Sequence, residues 1–128
     1  MHSATDPSDH ESWLQSGSDI RHALSSLSHP ASLVQARDDR GMQWAVRVLG
    51  LDARSRLFFW RPDGTDVRQA DTLAQRLASA PLEFTAKAHD GAWMQFRTER
   101  PSVVRFDDGS MLMVSPFPTR LRREFGAH

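Results

Sequence analysis

Three arginines near the end of the sequence are the side chains best suited to binding chemistry. Arg120, Arg122 and Arg123 fall within four positions, directly after a Pro-Phe-Pro segment at 116–118. A guanidinium group presents several N–H donors in one plane, which matches the oxygen atoms of a phosphate. We predict that the prolines stiffen the chain and hold these arginines off the rest of the protein as an anion-binding patch. The alternative is a solvated tail without a ligand.

Trp93 is a second candidate, as an anchor for a partner protein. In a predicted strand it alternates with Met94 and Phe96 and shares its side with Gln95 and Arg97, so it faces away from the core. A tryptophan exposed on a sheet is a typical anchor for a protein partner. The alternative is that the first predicted helix covers it.

Residue types that support catalysis do not come together in the sequence. The chain has no cysteine, which excludes thiol catalysis, thiolate metal sites and disulfides. Its six histidines are scattered, and none of the glycine-rich signatures of nucleotide-binding or hydrolase loops is present. The pairs Asp38-Asp39 and Asp107-Asp108 fall in predicted turns, where aspartate accepts local backbone hydrogen bonds. We predict no enzyme activity, no metal site and no cofactor.

Composition narrows the class of protein further. A chain of 128 residues, 39% hydrophobic and 25% charged, is long enough for one globular domain. Sixteen basic and sixteen acidic residues balance, which disfavours non-specific binding to nucleic acid. No apolar run approaches the roughly 20 residues of a membrane helix, and the first residues lack the pattern of a signal peptide. We expect a cytoplasmic protein with no nucleic-acid partner and no membrane insertion.

The elements that must position these side chains are mainly strands. Residues 1–17 are rich in Ser, Asp and His and predict a disordered N-terminal lead. Apolar spacing predicts short helices over 20–27, capped by Ser18-Asp19, and over 71–79, capped by Asp71. Alternation or a short apolar run predicts strands over 31–37, 42–52, 56–61, 82–88, 92–96, 103–106 and 111–115.

Short antiparallel strands joined by tight turns favour a closed or partly closed sheet, because closure removes exposed edges. We therefore predict a mainly β fold with two short α-helices, a small antiparallel split β-barrel of about six to seven strands over residues 18–118. Residues 119–128 then form an arginine-rich tail. The run at 57–60 is expected to be buried on both faces. The predicted core is Trp44, Val46, Val48, Leu57, Phe59, Leu82, Phe84, Met94, Phe96, Val104 and Phe106.

The order of the elements and the last stretch of sequence resemble one known family, over about residues 18–125. The matching strand is Asp90-Gly91-Ala92-Trp93-Met94-Gln95-Phe96, and the matching segment runs from Pro116-Phe117-Pro118 to Arg122-Arg123-Glu124-Phe125. The resemblance is to the N-terminal domain of YcgR-type flagellar brake proteins, the partner domain of PilZ. In that family a segment of this kind leads into the PilZ domain, and its arginines clamp cyclic di-GMP.

The resemblance implies a non-enzymatic regulatory or interaction module in cyclic di-GMP-linked control of flagellar motility. It implies Arg120, Arg122 and Arg123 as part of a nucleotide site, and a PilZ-domain protein or a flagellar motor component as partner. The family motif is Arg-x-x-x-Arg, and counting from Arg123 the second position is Ala127. We therefore expect weak binding of cyclic di-GMP, by a stand-alone module or a shortened relic. The alternative function is a split-barrel protein that binds a flavin or another nucleotide.

Overall fold

The computed structural model describes residues 13–64 and 67–125, which form nine strands and two helices. The helices are α1 (Gly17–Ser26) and α2 (Val67–Leu77). The strands are β1 (Trp13–Leu14), β2 (Leu33–Arg37), β3 (Gln43–Asp52), β4 (Leu57–Pro62), β5 (Leu82–Lys87), β6 (Ala92–Thr98), β7 (Ser102–Arg105), β8 (Met111–Pro116) and β9 (Leu121–Phe125). Neither helix is long and apolar enough to span a membrane.

All nine strands belong to one antiparallel sheet with the order β1-β9-β6-β5-β2-β3-β4-β8-β7. Within the described residues no ladder joins the end strands β1 and β7, so the sheet is not closed into a barrel. The mainly β prediction with two helices is confirmed. The split barrel of six to seven strands is not, because β1 and β9 add two strands. Most of the predicted lead, residues 1–12, lies outside the described residues, but Trp13–Leu14 pairs with β9.

The sheet curls around an aromatic cluster centred on Phe84. In the strand order β4 is three places from β5, which in a flat sheet means about 14 Å. Yet the ring centre of Phe84 lies 5.3 Å from that of Trp60 and 5.5 Å from that of Phe58, both on β4. Phe96 of β6 stacks on Phe84 at 5.1 Å. The sheet must bend so that strands distant in the order face each other across these rings.

We call the concave side that holds this cluster the inner face and the opposite side the outer face. Alternation along each strand places one set of side chains inside. The buried inner residues are Val34, Ala36, Val46, Val48, Phe58, Trp60, Leu82, Phe84, Ala86, Ala92, Met94, Phe96, Met113 and Leu121.

The structure corrects part of the predicted core. Phe58 and Trp60 are fully buried, whereas Leu57 and Phe59 are only partly so. A run of four apolar residues carries no alternation, so the sequence cannot show which pair faces inward. Val104 is 39% exposed and Phe106 51% exposed. The register turns Val103, opposite the buried Met113, toward the core, so Val104 lies on the outer face, and Phe106 follows the end of β7. Trp44 is half-buried, and the remaining predicted core residues are buried.

One polar group in the core is satisfied between neighbouring strands. The indole Nε1–H of Trp60 donates to Ser115 Oγ at 2.9 Å, and both side chains are fully buried. An unpaired indole N–H at this depth costs on the order of 1–3 kcal/mol. Because Ser115 accepts this bond, the indole of Trp60 is buried without an unpaired N–H group. The same bond links β4 to β8.

Both helices begin earlier than predicted. Ser16, rather than Ser18-Asp19, caps α1, and its hydroxyl accepts the Asp19 N–H at 3.1 Å. Helix α1 buries Ile20, Ala23 and Leu24 on the core and ends before His29-Pro30, as predicted. Helix α2 begins at Val67, because Gln69 and Ala70 are good helix formers. Asp71 is therefore inside the helix, where its carboxylate accepts from Arg105 of β7.

Helix α2 is held to the β2–β3 turn through one buried carboxylate. Asp38 Oδ1 accepts the backbone N–H groups of Arg40 at 2.9 Å and Met42 at 3.0 Å, and Asp38 Oδ2 lies 3.6 Å from Arg76 Nε. The same guanidinium lies over the Trp44 ring at 5.7 Å. Arg76 thus connects the turn, the half-buried tryptophan and α2.

The environment of Asp38 lowers its pKa. Desolvation of the carboxylate acts to raise the pKa, but the Met42 and Arg40 N–H groups and the Arg76 guanidinium outweigh it, so the pKa falls below the ordinary value of 3.8. A carboxyl whose pKa is lower in the folded state stabilises the protein above its unfolded pKa. That stabilisation is lost as the pH falls through the folded pKa.

We expect Asp38→Asn to lower the urea midpoint at pH 7, because the charge that faces Arg76 and the two N–H groups is removed. The difference from the parent protein should narrow progressively as the pH falls below 3.8, where the parent carboxyl also becomes neutral. Urea melts at a series of pH values measure this. Asp39→Asn, an exposed neighbour in the same turn, is the control. A gap for Asp38→Asn that does not change with pH contradicts the assignment.

We expect Phe84→Ala to reduce the free energy of unfolding by about 3–5 kcal/mol, since it empties the centre of the aromatic cluster. Phe106→Ala removes the same atoms from a ring that is 51% exposed and should cost less than about 1 kcal/mol. Urea denaturation of the two variants makes the comparison. Similar losses for both would show that the core is not organised around Phe84.

Candidate functional site

The arginine segment is part of the sheet. Leu121–Phe125 forms β9, antiparallel to β6, with Leu121 opposite Phe96 and fully buried. The N–H of Phe117 donates to the carbonyl of Arg56 at 2.9 Å, which fixes the entry to this segment. The prediction that the prolines hold the arginines off the protein is therefore wrong. Leu121 is the one apolar residue among these arginines, so the sequence shows no alternation that would indicate a strand.

Alternation along β9 separates the three arginines. Arg122 lies opposite Gln95, on the outer face. Arg123 lies opposite Met94, which is an inner-face residue. Arg120 and Arg122 line the same groove, and Arg123 does not. The structure thus brings together two of the three predicted arginines.

The groove beside Arg120 and Arg122 is open and has a volume of about 770 Å³. Arg97 of β6 and Trp13 of β1 also line it, and the Arg120 guanidinium lies 4.3 Å from the centre of the Trp13 ring. This is a cation–π contact. Sequence reasoning missed both residues. Trp13 falls in the predicted disordered lead, whereas the signal for Arg97 is that it shares the outward side of its predicted strand with Gln95.

Carboxylates neutralise part of the charge in this arginine groove. Arg122 Nε and Nη2 both donate to Glu124 Oε1, at 3.1 and 2.7 Å. Glu83, which lines the groove, accepts from Arg37 at 2.5 Å. Among residues 13–64 and 67–125 no carboxylate lies within 4 Å of the guanidinium groups of Arg97 and Arg120. These two cations are the ones available to an anion.

Trp93 is exposed on the outer face, as the alternation predicts. Its side chain is 52% exposed, so the alternative that the first helix covers it is wrong. The apolar side of α1 packs into the core instead. Lys87 Nζ, from the position directly opposite on β5, lies 5.8 Å from the Trp93 ring centre. Trp93 also lines a second groove of about 370 Å³, which crosses β5, β2 and β3.

Two histidines that are distant in sequence meet at one end of the sheet. The rings of His29 and His89 stack with centroids 4.0 Å apart and an angle of 13° between their planes. His29 Nδ1 accepts the Ala31 N–H at 3.0 Å, which occupies that nitrogen. Within the part of the chain that the structure describes, no group of three side chains could hold a metal ion. The pair packs the loop before β2 against the β5–β6 turn.

The paired aspartates are turn residues, as predicted. Asp108 Oδ1 accepts the hydroxyl of Ser110 at 2.6 Å and its backbone N–H at 2.9 Å. These bonds, the hydroxyl first, hold the pKa of Asp108 below its ordinary value of 3.8. Asp38 has a lowered pKa in the equivalent turn. Carboxyls that stay ionised far below neutral pH are poorly suited to general acid–base catalysis at pH 7.

The fold is similar to solved structures that share few identical residues with the chain. The YcgR-N domain of YcgR from Escherichia coli matches with a TM-score of 0.70 at 15% identity, over 91% of this chain and 97% of that one. The structure of Escherichia coli YcgR in complex with c-di-GMP matches with a TM-score of 0.72 at 14% identity, over 93% of this chain and 49% of that one. MrkH of K. pneumonia matches with a TM-score of 0.65 at 8% identity, over 91% and 45%. The chain thus spans about half the length of YcgR and MrkH.

Comparison of the sequence with family models identifies the family of the chain. A comparison with curated proteins finds no match. The family described as "Flagellar regulator YcgR, PilZN domain" matches residues 13–123, from the first described strand into β9. That range includes Trp13, Trp93, Arg97 and the three arginines that the sequence analysis selected. The chain belongs to the PilZN domain family of YcgR flagellar regulators.

Proposed function

We propose that this chain is a non-enzymatic regulatory module in the cyclic di-GMP-linked control of flagellar motility, acting in the cytoplasm through protein contacts. The family match supports the regulatory role. One observation of the structure carries the nucleotide part: Arg120 and Arg122 converge with Arg97 in a single groove. The similar Escherichia coli protein was solved in complex with c-di-GMP. A flavin-binding role, the alternative, has no comparable support.

Arg120 and Arg97 are the primary phosphate contacts in this proposal, because no carboxylate of the described residues lies within 4 Å of them. Guanidinium N–H groups bind phosphate oxygens in pairs, which suits a cyclic dinucleotide with two phosphates. Arg122 contributes after its bond to Glu124 opens. Arg123 faces the other side of β9 and contributes only where a second domain approaches from that side.

The protein partner in this proposal is a PilZ-domain protein or a component of the flagellar motor. A second domain is needed because the arginine groove is open and does not enclose a ligand. Trp93 is the anchor of the contact with a partner, since its side chain is 52% exposed on the outer face. A nucleotide bound in the arginine groove then lies on the same outer face as the partner.

We expect this 128-residue chain alone to bind cyclic di-GMP with a dissociation constant above about 10 μM, which is a binding free energy of less than about 7 kcal/mol. The groove leaves the phosphates in water, where salt screens the contact over a Debye length of about 8 Å at physiological ionic strength. Calorimetric titration at low and high salt measures this, and affinity should fall as salt rises. A separate PilZ-domain protein should raise the affinity. A submicromolar constant that salt does not change contradicts the open groove, and no binding with or without that protein contradicts the nucleotide role.

The placement of side chains on β9 predicts different effects for neighbouring substitutions. Arg120→Ala and Arg122→Ala should weaken cyclic di-GMP binding, whereas Arg123→Ala should change it less than about twofold. Glu124→Gln should strengthen binding by a factor of about 1.4 to 5, because it releases a surface ion pair worth about 0.2–1 kcal/mol. The same calorimetric titration tests all four variants. A larger loss for Arg123→Ala than for Arg122→Ala would place the nucleotide on the inner side of β9.

A further inference from the structure

We propose that the outer face binds an acidic, extended segment of a partner protein along a row of side chains that crosses five strands. This inference rests on the proposed function as an interaction module and extends it by naming the chemistry of the partner. The row, which we call the basic row, consists of Trp93 on β6, Lys87 on β5, Leu33 on β2, Arg47 on β3 and Arg61 on β4.

The register of the sheet puts these side chains side by side. Trp93 is directly opposite Lys87, and Lys87 is directly opposite Leu33. Arg47 is directly opposite Arg61 on the next pair of strands. Leu33 and Arg47 line one groove of about 370 Å³ together with Lys87 and Trp93. Residues opposite each other in an antiparallel pair share a face, so the row is continuous across about 19 Å of the outer surface.

No cation of the basic row forms an ion pair in the described chain, and Asp63 is the carboxylate that lines their groove. Within residues 13–64 and 67–125 no carboxylate lies within 4 Å of the charged groups of Lys87, Arg47 and Arg61. Glu124, opposite Trp93, already accepts two bonds from Arg122. Like charges directly opposite on adjacent strands destabilise a sheet, and this applies to Arg47 and Arg61. A carboxylate from another molecule would relieve that repulsion.

The row also contains two exposed apolar side chains. Leu33 is 69% exposed and Trp93 is 52% exposed, and they flank Lys87. Beside them on the outer face runs a strip without charge, formed by Gln95, Thr85, Gln35 and Ala45, which pair in register. A suitable ligand therefore combines an apolar side chain over Leu33 with carboxylates on either side.

The spacing of the cations fits an extended peptide that runs across the strands. Lys87 and Arg47 are two strand positions apart, or about 10 Å. In an extended chain the side chains of residues i, i+2 and i+4 lie on one side, and residues i and i+4 are about 13 Å apart, a distance that the long side chains of Lys87 and Arg47 span. Two acidic residues at i and i+4 with a leucine at i+2 therefore face Lys87, Leu33 and Arg47 together. The exposed leucine at the centre of the row and the neutral strip beside it fit a peptide better than a phosphate backbone.

The test is a titration of the isotopically labelled 128-residue protein followed by NMR. The probe is the peptide acetyl-Gly-Glu-Ser-Leu-Ser-Glu-Gly-amide, and its matched control has glutamine for both glutamates. We expect shifts of the Trp93 indole N–H and of the Leu33, Lys87 and Arg47 amides, with a dissociation constant of about 0.1–1 mM. The glutamine peptide should bind at least fivefold more weakly. Equal binding of both peptides, or shifts centred elsewhere, would overturn the proposal.

Charge reversals locate the contact. Lys87→Glu and Arg47→Glu should each weaken binding of the acidic peptide roughly three- to tenfold, while Arg54→Glu, in the exposed β3–β4 turn, should leave it unchanged. Spectra of the free variants establish that each is folded. Tighter binding of oligothymidylate, or of vesicles that contain phosphatidylglycerol, would assign the row to nucleic acid or membrane and overturn the peptide proposal. Failure here with cyclic di-GMP binding intact would leave the proposed function standing.

A second measurement tests the like-charge pair without a ligand. Arg61→Gln should raise the urea midpoint, and added salt should shrink the gain because it screens the repulsion from Arg47. Arg54→Gln is the control and should leave the midpoint unchanged. A lower midpoint for Arg61→Gln would mean that Arg61 stabilises the folded protein. The repulsion between Arg47 and Arg61, which is the reason to expect a carboxylate ligand here, would then be contradicted.

Discussion

The contact of Phe84 with rings from β4 is the constraint on which the rest of the structure depends. A flat sheet of this strand order keeps β4 and β5 far apart, and only a strongly bent sheet lets Trp60 and Phe58 meet Phe84. Bending makes one face small and apolar and the other broad and open. The inner face therefore holds most of the large apolar side chains of the strands, and the outer face is left to polar, basic and some exposed apolar residues.

The division between two faces also explains why a chain with balanced charges has locally basic surfaces. The acidic side chains Asp38, Asp52 and Asp108 are used in turns, where they accept backbone or serine hydrogen bonds. On the outer face Arg37 and Arg122 pair with glutamates, whereas Arg47, Arg61 and Arg97 have no carboxylate of the described residues within 4 Å. Net charge of zero is consequently a poor guide to what the outer face can bind, although it does disfavour a binding mode that needs the whole surface.

Much of the fold was predictable from alternation, and the failures have identifiable causes. Strands β5 and β6 alternate cleanly around an Asp-Gly turn, and the bounds of both lie within a few residues of those that the sequence predicts. Strand β4 has consecutive apolar residues, so the direction of Phe58 and Trp60 depends on tertiary packing that no local pattern encodes. Strand β1 is only two residues long, and β9 contains three consecutive charged residues, so each is a strand only because a neighbour supplies hydrogen bonds. The pairing of β9 with β6 puts Arg122 and Arg123 on opposite faces and brings Arg97 into the groove with Arg120. Both arrangements depend on this tertiary pairing, so the sequence alone does not predict them.

The tryptophans make these regions spectroscopically distinct. The chain has four tryptophans and no tyrosine, so its emission under ultraviolet excitation comes from indole rings alone. Trp60 is fully buried and hydrogen-bonded in the core, and Trp44 lies beneath Arg76 of α2. Trp13 contacts Arg120 in the arginine groove, and Trp93 contacts Lys87 on the basic row. An aqueous quencher such as iodide therefore reaches the exposed Trp93 ring and not Trp60, which gives the outer face and the core separate intrinsic optical signals.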